Sequence, residues 1–277
     1  MEIYTEQQII ERLKSRQPFA AVFENSGFEL HVRDYLPIVV TAIHDGHRIA
    51  DDFAEKIKVT DAQRQFEEDP YTGEIAQAFD VSIKVLDSRY CGDLNRHPEQ
   101  CIYEKAWGHR VWKTGLEYFE KEALRRRHAA YYRVLDTLLM ALTEEFGSAV
   151  LYDLHSYNYR RLEGRPPLFN IGTHFIDVPR FGEVIEHLKN ELAAVEVPGC
   201  ENRTAVDEVF KGKGYQAEFI RHHHPDVLCV PLEIKKVFMD DNGLKLNEEI
   251  FEPLREQMIG ALRRNFDFFK SRIAQPD

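Results

Sequence analysis

Ala149-Val150-Leu151-Tyr152-Asp153-Leu154-His155-Ser156-Tyr157 opens on four apolar residues and then alternates, with Asp153 and His155 two positions apart. A short, partly β-branched run of this kind reads as a buried strand over residues 149–152. If the strand continues, Asp153 and His155 lie on one face of it, because successive side chains alternate. Just upstream, from about Leu116 to Phe146, Leu135, Leu138, Leu139 and Leu142 recur at three- and four-residue spacing. That spacing predicts a long helix, and Gly147 supplies its stop.

Working outward, three more apolar runs read as strands: Ile38 to Ile43, Val81 to Leu86 and Val227 to Leu232. Pro231 has no N–H for a ladder bond, which predicts that the last of these is an edge strand, a strand start or a bulge. Further helical patterns cover about 181–195 and 251–273. Strands alternating with helices predict a three-layer α/β/α fold around a mixed, mostly parallel sheet, covered on both faces. No repeat, low-complexity tract or Gly/Ser linker interrupts the 277 residues, so a single domain over 1–277 is expected.

Composition narrows the function classes. Apolar residues make up 43% and aromatics 12%, enough for a packed core and too much for a disordered chain. With 47 acidic against 36 basic residues, the formal charge of −11 speaks against a broad phosphate-binding surface. It leaves room for a local basic pocket that takes a small anion. No run approaches the ~18 apolar residues of a membrane span, and the first residues lack the basic and apolar regions of a secretory signal. Four cysteines without a Cys-x-x-Cys pair read as reduced thiols in a cytoplasmic protein. Nucleic acid and membrane are therefore not expected as partners.

The polar residues that first follow the apolar runs are His44, the group from Asp87 to Arg89, Asp153 with His155, and Glu233. Open α/β sheets collect their functional groups just beyond the carboxyl ends of strands, so these four places read as one site. His44, in Ile43-His44-Asp45-Gly46-His47, precedes a glycine that permits a sharp turn and leaves a ring nitrogen free for a metal. His47 is the neighbouring candidate. Asp153 can orient His155 or cap the next segment. Arg89 and Arg96 suit an anionic substrate, one as a fork for a carboxylate and the other polarising a carbonyl. Their alternative is a surface ion pair with Asp87 or Asp93. Glu233, set among apolar residues, needs a metal, an arginine, a lysine neighbour or a proton-transfer role to justify its burial. In Glu68-Asp69-Pro70-Tyr71-Thr72-Gly73-Glu74, Pro70 marks a turn into a helix. Thr72 is a candidate cap, and Glu74 is either a helix-dipole partner or a metal ligand. His222-His223-His224 alternates in direction when extended and does not form a ready cluster.

Several of these stretches resemble a known family. Asp93-Leu94-Asn95-Arg96 is similar to the Asp-x-Asn-Arg motif of zinc carboxypeptidases and the related acylases. Asp153-Leu154-His155-Ser156-Tyr157 and Leu232-Glu233-Ile234 resemble the segments with their last zinc-binding His and catalytic Glu. Within that superfamily, His44-Asp45-Gly46-His47-Arg48-Ile49 and the stretch from Gly214-Tyr215 to Arg221-His222 resemble the N-formylglutamate amidohydrolases. The resemblance spans about 35–260.

It implies a zinc carboxypeptidase-like fold and a zinc-dependent amidohydrolase, with N-formyl-L-glutamate and water giving L-glutamate and formate, a step of histidine breakdown. His44 and His155 would ligate Zn2+, with Glu74 completing the set and His47 as the alternative. Arg89 would polarise the scissile carbonyl, Asn95 and Arg96 would hold the α-carboxylate, and Glu233 would serve as general base and acid. The alternatives are a carboxypeptidase, a deacylase of another N-acyl amino acid, or a non-catalytic carboxylate-binding module.

Overall fold

A computed structural model describes residues 1–24 and 27–273. Its strands are β1 (Glu2–Tyr4), β2 (Phe19–Phe23), β3 (Phe28–Val32), β4 (Ile38–Ala42), β5 (Val81–Val85), β6 (Lys105–Ala106), β7 (His109–Arg110), β8 (Ala149–Tyr157), β9 (Phe169–Ile171), β10 (Thr204–Val206) and β11 (Val227–Lys235). The helices are α1 (Glu6–Lys14), α2 (Asp51–Ala54), α3 (Asp61–Glu67), α4 (Thr72–Ala76), α5 (Tyr118–Phe146), α6 (Val178–Ala193), α7 (Tyr215–His223) and α8 (Glu248–Ile273).

Nine strands form one sheet in the order β1-β2-β3-β5-β4-β8-β11-β9-β10. The four central strands, β5, β4, β8 and β11, are mutually parallel, while β3 and β9 run antiparallel to their inner neighbours. The α/β architecture expected from the alternating pattern is therefore present, with a mixed sheet.

The central strands are buried on both sides, which is why they read as nearly continuous apolar runs. All nine residues of β8 are buried. Val150, Tyr152 and Leu154 face the layer of α6 and α8, whereas Ala149 and Leu151 face α5 and α7. On α5, Leu135, Leu138, Leu139 and Leu142 are fully buried, each contributing about 1.5–3 kcal/mol relative to exposure. Gly147 closes the helix with φ of 75°, the left-handed conformation a glycine adopts without a Cβ penalty, and its N–H reaches the Thr143 carbonyl.

Pro231 departs from expectation. It lies inside β11, which sits between β8 and β9 rather than at an edge. The reason is local. The Pro231 carbonyl accepts from the Gly172 N–H, so its ring nitrogen points to the same side, where the short β9 ladder of residues 232–234 has ended. The one ladder bond the ring nitrogen is unable to donate thus falls at the end of that pairing, beyond residues 232–234. Among the described residues no helix is long and apolar enough to cross a membrane.

Candidate metal centre and pocket

His44 stands two residues beyond the end of β4. The turn there runs against the end of β5: a Cβ on Gly46 would come within 2.3 Å of the Leu86 carbonyl carbon. Glycine is thus required for close approach of two backbones, with no left-handed φ involved. β8 does continue past Tyr152, so Asp153 and His155 share a face, and parallel register with β11 sets Glu233 beside His155. The third contributor arrives from outside the strands. Asp69 precedes α4, and its N–H donates to the His44 carbonyl at 2.8 Å, drawing the acidic turn over the strand ends.

Together these produce a buried group. Ligand-type atoms of His44, Asp69 and His155 all lie within 4.8 Å of one another, an arrangement that can hold a metal ion. Asp69 Oδ2 is 3.4 Å from His44 Nδ1 and 3.2 Å from His155 Nδ1. The opposite ring nitrogens are held by other carboxylates. His44 Nε2 meets Asp93 Oδ1 at 2.8 Å, and His155 Nε2 meets Asp153 Oδ2 at 3.0 Å. Donating an Nε2 proton to a carboxylate leaves Nδ1 with its lone pair directed inward, the tautomer a metal ligand needs. Asp69 is likewise prepared. Its Oδ1 takes Ser156 Oγ at 3.3 Å and lies 3.7 Å from Lys236 Nζ, which leaves Oδ2 for the centre.

Two observations test the fit of a cation there. His44 Nδ1 is buried without a hydrogen-bond partner, a costly state that a metal relieves. Moreover, Asp69, Asp93, Asp153 and Glu233 surround the group, with Arg89 and Lys236 the basic side chains set among them, so carboxylates outnumber cations around the imidazoles. Without an ion, protons respond to the same imbalance. Burial alone would depress His155, but Asp153 and Asp69 hold its pKa well above the ordinary histidine value. Asp69 stays far below the carboxylate range: burial opposes its charge, yet the hydrogen bond from His155 and the positive charge of nearby groups such as Lys236 outweigh it. The histidine–carboxylate donor set suits Zn2+.

Glu233 is pushed up to about 7, chiefly by burial, with His155 acting in the opposite direction. Lys236, whose pKa burial lowers, donates to the backbone carbonyls of Phe66 at 3.0 Å and of Glu68. It therefore anchors the turn that carries Asp69, where a salt bridge to Glu233 had been the alternative. Arg89 gives Nε and Nη2 to Asp93 Oδ2 at 3.1 and 2.8 Å, and Nη1 to the Glu67 carbonyl at 3.3 Å. Of its five N–H groups, two remain without a partner among the described residues. Its guanidinium lies 4.9 Å from the ring centroid of Trp107.

Glu74 stands apart from this group. It lies on α4 with a half-exposed side chain paired with Arg255 at 3.4 Å. The carboxylate in the cluster belongs to Asp69, five residues earlier. His47 is also elsewhere, its Nδ1 2.5 Å from Glu68. Thr72 is not the cap of α4: it bonds back to the Asp69 carbonyl at 2.7 Å, and Asp45 receives the Gly73 N–H instead. None of His222, His223 and His224 lines the pocket; His224 pairs with Asp136 at 2.9 Å.

A cavity of about 610 Å³ opens over the cluster, lined also by Glu233, Arg89, Asn95 and Arg96. Asn95 Nδ2 is 3.4 Å from His155 Nε2, and Arg96 is exposed at the rim, donating to the Asn95 carbonyl at 3.1 Å.

A three-layer α/β sheet with a His–Asp–His group at its strand ends and an acid poised near neutrality defines a hydrolase-type site. The chain matches the N-formylglutamate amidohydrolase family over residues 36–239, and it belongs to that family. It is thus an enzyme of the amidohydrolase class, acting on a linear amide of a small molecule, which sets aside the non-catalytic alternative. The fold is shared with an N-formylglutamate amidohydrolase from Ralstonia eutropha JMP134, at a TM-score of 0.71 and 18% identity over 89% of this chain and 99% of that one. A gene product of Agrobacterium tumefaciens aligns with a TM-score of 0.64 and 16% identity over 86% and 96%. No curated protein matches the sequence.

Proposed function

We propose that the protein is a zinc-dependent hydrolase of N-acyl acidic amino acids, converting N-formyl-L-glutamate and water to L-glutamate and formate. The observation that carries the metal requirement is the convergence of His44 Nδ1, His155 Nδ1 and one Asp69 oxygen, each with its other polar atom already held. His44, Asp69 and His155 would hold the ion there, which would supply Lewis acidity and a water pKa lowered from 15.7 toward about 7.

The chain's own groups account for the rest of the reaction. Glu233, raised to about 7, accepts a proton from the attacking water and returns it to the leaving amine. A carboxylate at its ordinary pKa would be a poor donor in the second step. Arg89 offers its two unpartnered N–H groups to the oxygen that becomes negative as the amide carbonyl is attacked. Asp93 fixes the angle of that guanidinium while orienting His44, so one carboxylate aligns both. Asn95 and Arg96, at the rim, take the substrate's α-carboxylate. Trp107 lies over the Arg89 guanidinium at the cavity wall and helps hold its orientation.

The reading is tested with a panel of formyl-, acetyl- and succinyl-amino acids, measuring released amine with and without a chelator. Turnover greatest on N-formyl-L-glutamate and abolished by chelation is expected. Chelator-resistant turnover would remove the metal from the reaction, and preference for a longer acyl group would make the enzyme a different deacylase.

A further inference from the structure

Of the six cations lining the cavity, three are tied to acidic side chains. Arg89 is bound to Asp93, Arg161 to Glu67 and Lys236 to the Asp69 turn, while Arg96 donates only to the adjacent Asn95 carbonyl. Lys211 and Lys213 also line the cavity, are exposed, and form no ion pair among the described residues. In a chain with 47 acidic residues against 36 basic ones, the two lysines, one residue apart, concentrate positive charge on a concave surface.

Their backbone is held tightly. They lie in Lys211-Gly212-Lys213-Gly214, between β10 and α7. Upstream, the buried Asn170 grips the segment three times, donating to the Phe210 carbonyl at 2.7 Å and accepting from the Glu208 and Val209 N–H groups at 3.1 and 2.9 Å. Asn170 is itself opposite Glu233 in the β9–β11 register. In the middle, Gly212 (φ 71°) lies so close to Gly172 that a Cβ on Gly172 would be 2.3 Å from the Gly212 nitrogen. Downstream, a Cβ on Gly214 would be 2.1 Å from Asn95 Oδ1. The loop is therefore clamped to the strand that faces the general base and to the residue beside His155. Two flexible side chains on a backbone so fixed lose only their own rotamer freedom when a ligand binds.

We propose that Lys211 and Lys213 form a second anion subsite that takes the side-chain carboxylate of the substrate. This rests on the hydrolase reading above and deepens it: with Arg96 holding one carboxylate, a separate pair of ammonium groups selects a dicarboxylic amino acid over its amide. The selection acts on charge and length together, because the clamped loop sets the span between the two subsites.

The test uses the glutamate–glutamine pair, which differs in charge at nearly constant shape. Binding of L-glutamate and L-glutamine is measured by calorimetry on the intact protein. Hydrolysis of N-formyl-L-glutamate and N-formyl-L-glutamine is measured in parallel, for the wild type, Lys211→Met, Lys213→Met and the double variant. The wild type is expected to prefer glutamate at least tenfold. In the double variant the preference should fall to within about twofold, through KM for the charged substrate, with kcat/KM for N-formyl-L-glutamine unchanged. A double variant that keeps the wild-type preference, or a wild type with none, would overturn the subsite. Lysine-dependent preference for glutamate in a protein that hydrolyses neither substrate would keep the subsite and overturn the hydrolase reading instead.

Discussion

Asp69 illustrates how one residue is fitted to a ligand's task. Ser156 and Lys236 occupy one carboxylate oxygen, leaving the other for the two imidazoles. Replacing it by Asn keeps the shape but removes the charge, so Asp69→Asn is expected to lower kcat/KM at least a hundredfold. Glu74→Gln should stay within twofold of wild type, because Glu74 pairs with Arg255 outside the cavity. Steady-state kinetics of the two variants decides between them. Glu233 carries the pH dependence. Its pKa is raised to about 7 by burial, and catalysis needs the charged form, so activity is lost as pH falls through that value. A bound cation shifts this limb downward. Glu233→Gln should abolish the limb and reduce kcat by about 10²–10⁴-fold while leaving metal content intact.

At the scale of elements, the site is an assembly of strand ends, and that part was legible. His44, Asp153, His155 and Glu233 all follow apolar runs that do become β4, β8 and β11, so local pattern alone put them near one another. Asp69 was not legible. Nothing nearby distinguishes it from Glu67, Glu68 or Glu74; its place is decided by a bond to the His44 carbonyl and by Lys236, 25 and 167 positions away in sequence. Pro231 was misplaced for a related reason, since strand order and the short reach of β9 are long-range properties. His222-His223-His224 was read as an extended segment, whereas His222 and His223 end α7 and His224 follows as its cap, because a helical continuation from Tyr215 is not marked by those three residues themselves. Two predictions belong here. Gly214→Ala puts a methyl group into the Asn95 amide and should raise KM by displacing it. Gly147→Ala forces a side chain into a left-handed cap far from the cavity, so it should cost about 1 kcal/mol, read as a Tm lower by about 2–4 °C, with kinetics unchanged.

For the whole molecule, metal and stability are linked. A cation that binds only the folded state stabilises it by about 4 kcal/mol at a thousandfold excess over its Kd. Since Asp153 and Asp69 raise the pKa of His155 in the metal-free site, metal binding competes with its proton, and the gain in Tm should shrink as pH is lowered. The most direct test of the account is the metal-to-protein ratio, determined by elemental mass spectrometry after dialysis, for wild type and Asp69→Asn. One divalent ion per wild-type chain, lost in the variant, is the predicted result. A wild type without stoichiometric metal, or an Asp69→Asn protein that retains it, would contradict the account.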